Sequence, residues 1–260
     1  MDTRRLWFTY ADHLTLLFRG APSLIEARGD SWFAVLTREL HTDVNQCVLT
    51  SGASAADAER VISLIGEADV PAVVSVSSEA DDEVTVRLRG AELTPAPLPE
   101  PLMWCQARPA AERAPFAVDR VRSKADLRRA VTICAEGHAI DEAILARVLA
   151  RDPSRENDVS TWIAWEGDEP ISVVWLTHGH GIGVWEMMTP PAHRQRGAAR
   201  AVLTAALAQS WHPSVSGAFL WATPAGRPLY ESLAFRALDE PTIWVTPGGE
   251  AGNLAVGQPG

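Results

Sequence analysis

The 260-residue chain has one lysine, Lys124, and two tyrosines, Tyr10 and Tyr230. Its three cysteines, Cys47, Cys105 and Cys134, lie far apart with no CxxC pair, which argues against a disulfide framework or a zinc knuckle. No apolar run approaches the ~18–20 residues that a membrane helix needs. The opening residues lead into a mixed stretch with Asp12, His13 and Arg19, not into the apolar core of a secretory signal. These absences predict a cytoplasmic protein with no membrane association. Basic charge is also scarce. The formal net charge of −10 argues against a general nucleic-acid binder, which would carry a basic stripe.

The charge is unevenly spread. Residues 1–115 hold 10 Arg and 17 acidic residues, whereas residues 116–247 hold 13 basic and 15 acidic ones. Between them, residues 91–116 carry six prolines. Proline removes a backbone donor and biases its predecessor toward extended geometry, so this stretch reads as edge strand and linker. The expected division is a first domain over 1–107, a linker over 108–116, a second domain over 117–247 and a flexible tail over 248–260, where glycine is frequent.

In the first half the pattern predicts helix 9–20, strands near 31–37 and 45–50, helix 54–67, strand 71–76, an acidic segment at 79–89, and extended pieces at 92–95 and 101–107. Helix 54–67 has the clearest signals. Ser54 caps it, Ala58, Val61, Ile62 and Ile65 repeat at helical spacing, and Gly66 is placed to end it. His41, Asp43 and Cys47 are the nearest approach to a chemical cluster there, and a structural role fits them better.

The second half alternates more regularly. A strand at 116–121 leads to Ser123, placed to cap a helix through about 136, and a second helix covers 140–150. Strands follow at 160–166, 171–177 and 182–189, joined by Gly-rich turns into an antiparallel meander. Helix 196–209, strand 217–222, helix 225–232 and strands 234–238 and 242–246 complete a mixed sheet with a crossover. His178 and His180 alternate with glycine in a turn, which suits a hairpin better than a metal site, so no metal is expected. Seven of the ten tryptophans fall in this half. Most belong in a core, and Trp175 and Trp185 on neighbouring strands could line a pocket that stacks on a cationic or aromatic group.

One segment carries chemistry. The apolar strand ending Glu186-Met187-Met188-Thr189 runs through Pro190 and Pro191 into Arg194-Gln195-Arg196-Gly197-Ala198-Ala199-Arg200, where an Ala/Leu-rich helix begins. Small residues there let a ligand approach the backbone. A helix start offers unpaired amides and a positive dipole end, and three arginines add charge suited to a phosphate. Two prolines end the strand without donors, which frees its backbone for an amide-bearing ligand. The pattern is neither GxGxxG nor a P-loop. One helix and one strand later comes Pro228-Leu229-Tyr230-Glu231-Ser232-Leu233-Ala234-Phe235.

Together these two segments resemble the GNAT acyltransferase superfamily. Arg194 to Ala199 meets its Arg/Gln-x-x-Gly-x-Gly/Ala motif. Pro228 to Phe235 meets its Pro-Leu-Tyr-Glu-x-Leu-Gly-Phe helix, with Ala234 where glycine is usual. The resemblance covers about 117–246. It implies an α/β (mixed α+β) architecture of two GNAT-like domains, each a mixed, mostly antiparallel sheet flanked by helices. The first domain would be a degenerate copy, because its corresponding turn, Leu49 to Ala56, has no arginine and no Gly-x-Gly/Ala.

The resemblance also implies roles. Met187, Met188 and Thr189 would bond the pantetheine arm of acetyl-CoA through their backbone. Arg194, Gln195, Arg196, Gly197, Ala198, Ala199 and Arg200 would form the diphosphate cradle, with His193 nearby. Tyr230 would protonate the departing thiolate, and Glu186 is the candidate general base. The implied reaction is acetyl transfer to a primary amine, more readily a small molecule than a protein. A longer acyl-CoA or a non-catalytic acyl-CoA-binding module are the alternatives. The sequence leaves oligomeric state open, a homodimer among the options.

Overall fold

The computed structural model describes residues 1–96, 100–110, 115–154 and 158–247. The 248–260 tail and residues 111–114 of the expected linker lie outside the described residues. The chain opens with α1 (Thr3–Phe18), capped by the Asp2 side chain, which accepts from the Arg5 amide. Leu6, Tyr10, Leu14 and Leu17 repeat at helical spacing on its buried side. The helix starts six residues earlier than its apolar pattern alone suggests, because Asp2 satisfies an amide that would otherwise be orphaned.

There follow β1 (Ile25–Arg28), β2 (Trp32–Leu36), β3 (Asn45–Leu49), α2 (Ala55–Ala68), β4 (Val73–Val76), α3 (Asp82–Gly90), β5 (Thr94–Pro95) and β6 (Leu102–Cys105). Ser54 and Asp57 form a reciprocal capping box at the start of α2. Gly66 does not end that helix. The chain continues to Ala68 and turns at Asp69, whose φ of +53° supplies the left-handed cap. The acidic segment at 79–89 becomes a helix for electrostatic reasons. Asp82 and Glu83 occupy the first turn of α3 and Arg87 and Arg89 the last, which matches both ends of its dipole.

The remaining elements are β7 (Ala117–Arg120), α4 (Lys124–His138), α5 (Glu142–Val148), β8 (Val159–Glu166), β9 (Glu169–His178), β10 (Ile182–Met188), α6 (Ala198–Ser210), β11 (Ala218–Trp221), α7 (Arg227–Ser232), β12 (Arg236–Asp239) and β13 (Thr242–Val245). The meander expected at 160–189 is present, with β8, β9 and β10 antiparallel in sequence.

The chain folds as two compact units. One holds Met1–Leu102, Ala222–Arg227 and the chain from Ala237, and the other holds Met103–Trp221 with Pro228–Arg236. The first unit's sheet runs β1-β2-β3-β4-β13-β5, and the second sheet runs β12-β6-β11-β10-β9-β8-β7. The two orders are one pattern used twice. In each, an antiparallel meander of three strands is followed by a helix and a strand parallel to its last member. A strand from a distant part of the chain is then inserted before the edge: β13 in the first sheet and β6 in the second.

This insertion departs from the division at 108–116. Met103–Cys105 belongs to the second unit, and β13 pairs with β4 and β5 of the first. A side chain on Gly217 would meet the Trp104 ring at 2.2 Å and the Cys105 carbonyl at 2.6 Å, so β6 is packed directly on the backbone before β11. Both inserted strands are short and apolar, and nothing local in such a run states which sheet it completes.

In the first unit, Leu36, Cys47, Leu49, Val61, Val74, Leu88 and Trp244 share one core. Burial pushes the Cys47 thiol up to about 12, so it is an inert core residue. His41 accepts the Asp43 amide through Nδ1, as the cap of a short turn, and its carbonyl accepts from Asn45 Nδ2. Asp239, 3% exposed, accepts from Trp7 Nε1 at 2.7 Å, Ser77 Oγ at 2.6 Å, and the Ser78 amide and Oγ at 3.1 and 2.6 Å. Four donors satisfy a carboxylate that would otherwise be costly to bury.

Candidate active site

The site begins where two parallel strands part. β10 and β11 pair at only two positions, Ile182 with Ala218 and Gly183 with Phe219. Beyond them β10 continues to Met188 along β9 alone, and its register with β9 shifts between Trp185 and Met188. Glu186 sits in that bulge with φ +47°, a left-handed conformation that a non-glycine residue adopts at a cost. The bulge re-aims the strand's last side chains. Gly183 is required upstream. A Cβ there would strike Thr177 Oγ1 at 2.4 Å and Trp185 Nε1 at 2.5 Å, and the Trp185 indole crosses that space to donate to Thr177 Oγ1.

After the strand, Pro191–His193 makes a short turn and the chain enters α6 at Gly197. Gln195 and Gly197 have φ of +58° and +86°. Gly197 faces open space, so glycine is required there by backbone angle and not by crowding. The start of α6 has no side-chain cap and no acidic residue in its first turn. A 13-residue helix therefore presents its first-turn amides and the positive end of its dipole.

The three arginines are held by the chain itself. Arg194 Nε donates to the Thr189 carbonyl at 3.0 Å, Arg196 pairs with Glu166, and Arg200 donates to Ser232 Oγ at 2.6 Å. The Met188 carbonyl accepts Ser172 Oγ at 3.1 Å. Two of the three carbonyls in the 187–189 stretch thus already have partners, so a ligand there must share them or use amides. His193 Nε2 lies 3.2 Å from Glu169 Oε1.

Tyr230 lies in α7, 7% exposed, with its ring edge-on to Phe235 at 6.2 Å. Glu186 is not isolated. Its carboxylate lies 3.1 Å from His138 Nε2, and its carbonyl accepts the Cys134 thiol at 3.4 Å. Neither partner was anticipated from sequence, although Cys134 and His138 stand one helical turn apart on α4. Trp175 is fully buried, which makes it core and not pocket lining, while Trp185 is half-buried, edge-on to Phe219. His178 is tied to Ser160, and no group of metal-ligating side chains occurs among the described residues. A cavity of about 640 Å³ beside Arg120, Arg122, Asp126 and Trp165 follows the edge strand β7, three strands from β10.

The first unit builds the same junction differently. β3 and β4 stay paired through Leu49 and Val76, and the Ser77 amide continues to the Leu49 carbonyl at 2.8 Å. The helix that follows starts with the Ser54–Asp57 capping box, which occupies the Ser54 and Asp57 amides and places a carboxylate at its positive end. The strands do not part, and the helix start carries a carboxylate of its own.

Residues 126–235 match the family model described as Acetyltransferase (GNAT) family. No curated protein matches the chain in sequence. Among solved structures, a GCN5-related N-acetyltransferase from Kribbella flavida superposes over 96% of this chain and 98% of its own, at 15% identity and a TM-score of 0.73. One from Sphaerobacter thermophilus covers 83% of this chain and 76% of its own, at 10% identity and a TM-score of 0.59. A putative GNAT acetyltransferase from Novosphingobium aromaticivorans covers 90% and 96%, at 14% identity and a TM-score of 0.53. At these identities the likeness is one of fold, and it extends over both units. The stretch 126–235 that matches the GNAT family model is the one that builds the parted strand, the uncapped helix and Tyr230.

Proposed function

We propose that the second unit transfers an acetyl group from acetyl-CoA to a primary amine. The observation that carries this reading is the parting of β10 from β11 directly before a helix whose start is uncapped. A pantetheine arm is a chain of amides, and the unpaired edge of β10 over 187–189 offers it strand-like partners. A diphosphate suits the amides from Gln195 to Arg200, in a turn with two left-handed residues, Gln195 and Gly197, at the start of a helix. Arg194, Arg196 and Arg200 add positive potential there, that of Arg196 reduced by Glu166.

Acetyl-CoA supplies an activated thioester carbonyl. Glu186 takes a proton from the amine as its nitrogen attacks that carbon, and a strand amide holds the oxygen of the tetrahedral intermediate. The C–N bond forms and the C–S bond breaks. Tyr230 gives the leaving sulfur its proton and recovers one from solvent. The phenol O–H is the proton donor that this role needs. The products are an N-acetylated amine and free CoA.

Calorimetry with acetyl-CoA, followed by thiol release across a panel of primary amines, tests the reading. Binding with amine-dependent thiol release supports it. Binding without release under any amine leaves the acyl-CoA-binding module. Tighter binding and faster release with succinyl- or longer acyl-CoA reassigns the donor. No binding removes the proposal.

A further inference from the structure

Cys134, Gly137 and His138 stand at i, i+3 and i+4 near the end of α4, and residues so spaced share one face of a helix. Each meets a different part of the bulged end of β10. The Cys134 thiol donates to the Glu186 carbonyl at 3.4 Å. Burial, and then the charge of Glu186, holds that thiol well above its ordinary range, so it stays a donor and does not become a competing anion. A Cβ on Gly137 would come within 2.2 Å of Met188 Sδ, so only glycine lets Met188 lie against the helix without displacement. His138 Nε2 lies 3.1 Å from Glu186 Oε2.

These contacts grip one strained residue at both its main chain and its carboxylate. Glu186 holds φ +47° in a strand, and such backbone persists where the surroundings over-determine it. The His138 and Glu186 side chains are 21% and 18% exposed, partly screened by solvent. A pair of this kind adds little to global stability. What it does add is direction. A glutamate has three side-chain torsions, and an ion-pair partner 3.1 Å from its carboxylate narrows the alternatives. His138 is also the last residue of α4, so its place is fixed by the helix end.

The geometry points to His138 as the positioning residue of Glu186, holding its carboxylate in the one orientation from which it can take a proton from an incoming amine. This deepens the acyl-transfer reading and rests on it. A base held out of line by an ångström loses its advantage, so the effect belongs in turnover and not in donor binding.

Three variants of the full chain test it: His138→Ala, His138→Gln and Glu186→Gln. The Ala variant is expected to lower kcat tenfold or more, with KM for acetyl-CoA within twofold and an unfolding midpoint close to the parent's. The Gln variant, which keeps an N–H donor on a side chain of similar reach, is expected to retain at least a third of kcat. Independently of any acceptor, the ring nitrogen and carbon resonances of His138 are expected to move in Glu186→Gln. Parent-like kcat in His138→Ala, equal losses in the Ala and Gln variants, or unmoved resonances would overturn the proposal. A parent chain that releases no thiol with any amine sinks the transferase reading first. The resonance comparison would then still decide whether His138 and Glu186 form a pair in solution.

Discussion

The Ser77 amide donates to the Leu49 carbonyl at 2.8 Å, one step past the last strand pair of β3 and β4. At the corresponding place in the second unit, β10 has already left β11. The same chain therefore holds a closed and an open version of one junction. Only the open one is followed by an uncapped helix. Calorimetry is expected to give one acetyl-CoA per chain. Gly197→Ala is expected to weaken that binding about tenfold, because an alanine at φ +86° costs roughly 1–2 kcal/mol and relaxes by moving the amides that follow. A stoichiometry of two, or unchanged affinity in the variant, would contradict this account of the two junctions.

Tyr230→Phe removes one oxygen and keeps the ring that packs against Phe235. The expected outcome is a fall in turnover of an order of magnitude or more, with little change in acetyl-CoA affinity and a melting temperature close to the parent's. Steady-state kinetics of thiol release set beside calorimetry provide the check. Unchanged turnover would take Tyr230 out of the mechanism.

His178 predicts an acid sensitivity unconnected with catalysis. Burial lowers its pKa from 6.5 to about 4, helped by the positive charges of Arg120 and His212 and opposed by Asp158. A neutral ring also suits its hydrogen bonds. Trp162 Nε1 donates to Ser160 Oγ at 2.9 Å, which leaves the Ser160 proton for His178 Nε2 at 2.8 Å. The unfolded chain takes up a proton on this residue below about pH 6.5, while the folded chain resists until about pH 4. Stability is thus full above that window and falls as pH drops through it, by on the order of 2–3 kcal/mol at pH 4.5. Urea unfolding at pH 7, 5.5 and 4.5 measures the slope. His178→Gln, which can still accept from Ser160, is expected to flatten it, and an equally steep slope in that variant would assign the sensitivity elsewhere.

What was legible in the sequence was what is local along it. Arg194 to Ala199 and Pro228 to Phe235 carry their spacing in contiguous residues. Ser54 and Ser123 cap α2 and α4 as their patterns suggest, each accepting from an amide three residues on. The Asp2 cap of α1 and the charge pattern of α3 were local signals too, outweighed by the apolar stripe and by overall acidity. The Glu186–His138 contact spans 48 positions between a helix end and a bulge, and no periodicity records it. The destination of β13 is of the same kind. Thr242 to Val245 reads as a strand in any context, and only the sheet it joins decides its unit.

That last point predicts how the chain can be cut. A fragment spanning 117–247 contains the whole stretch that matches the family model, yet it lacks β6, which lies between β11 and β12 in the second sheet. Removing an interior strand leaves two unpaired edges where backbone groups and apolar faces were satisfied. The fragment would also carry β13 without β4 and β5, and Asp239 without Trp7, Ser77 and Ser78. A carboxylate stripped of four donors has to be rehydrated, which is incompatible with its buried position. The expected result is no cooperative thermal transition for 117–247, and partial recovery for a fragment begun at residue 100, which restores β6 but not the partners of β13. A cooperative transition in the shorter fragment near that of the full chain would mean that β6 is dispensable to the sheet it enters.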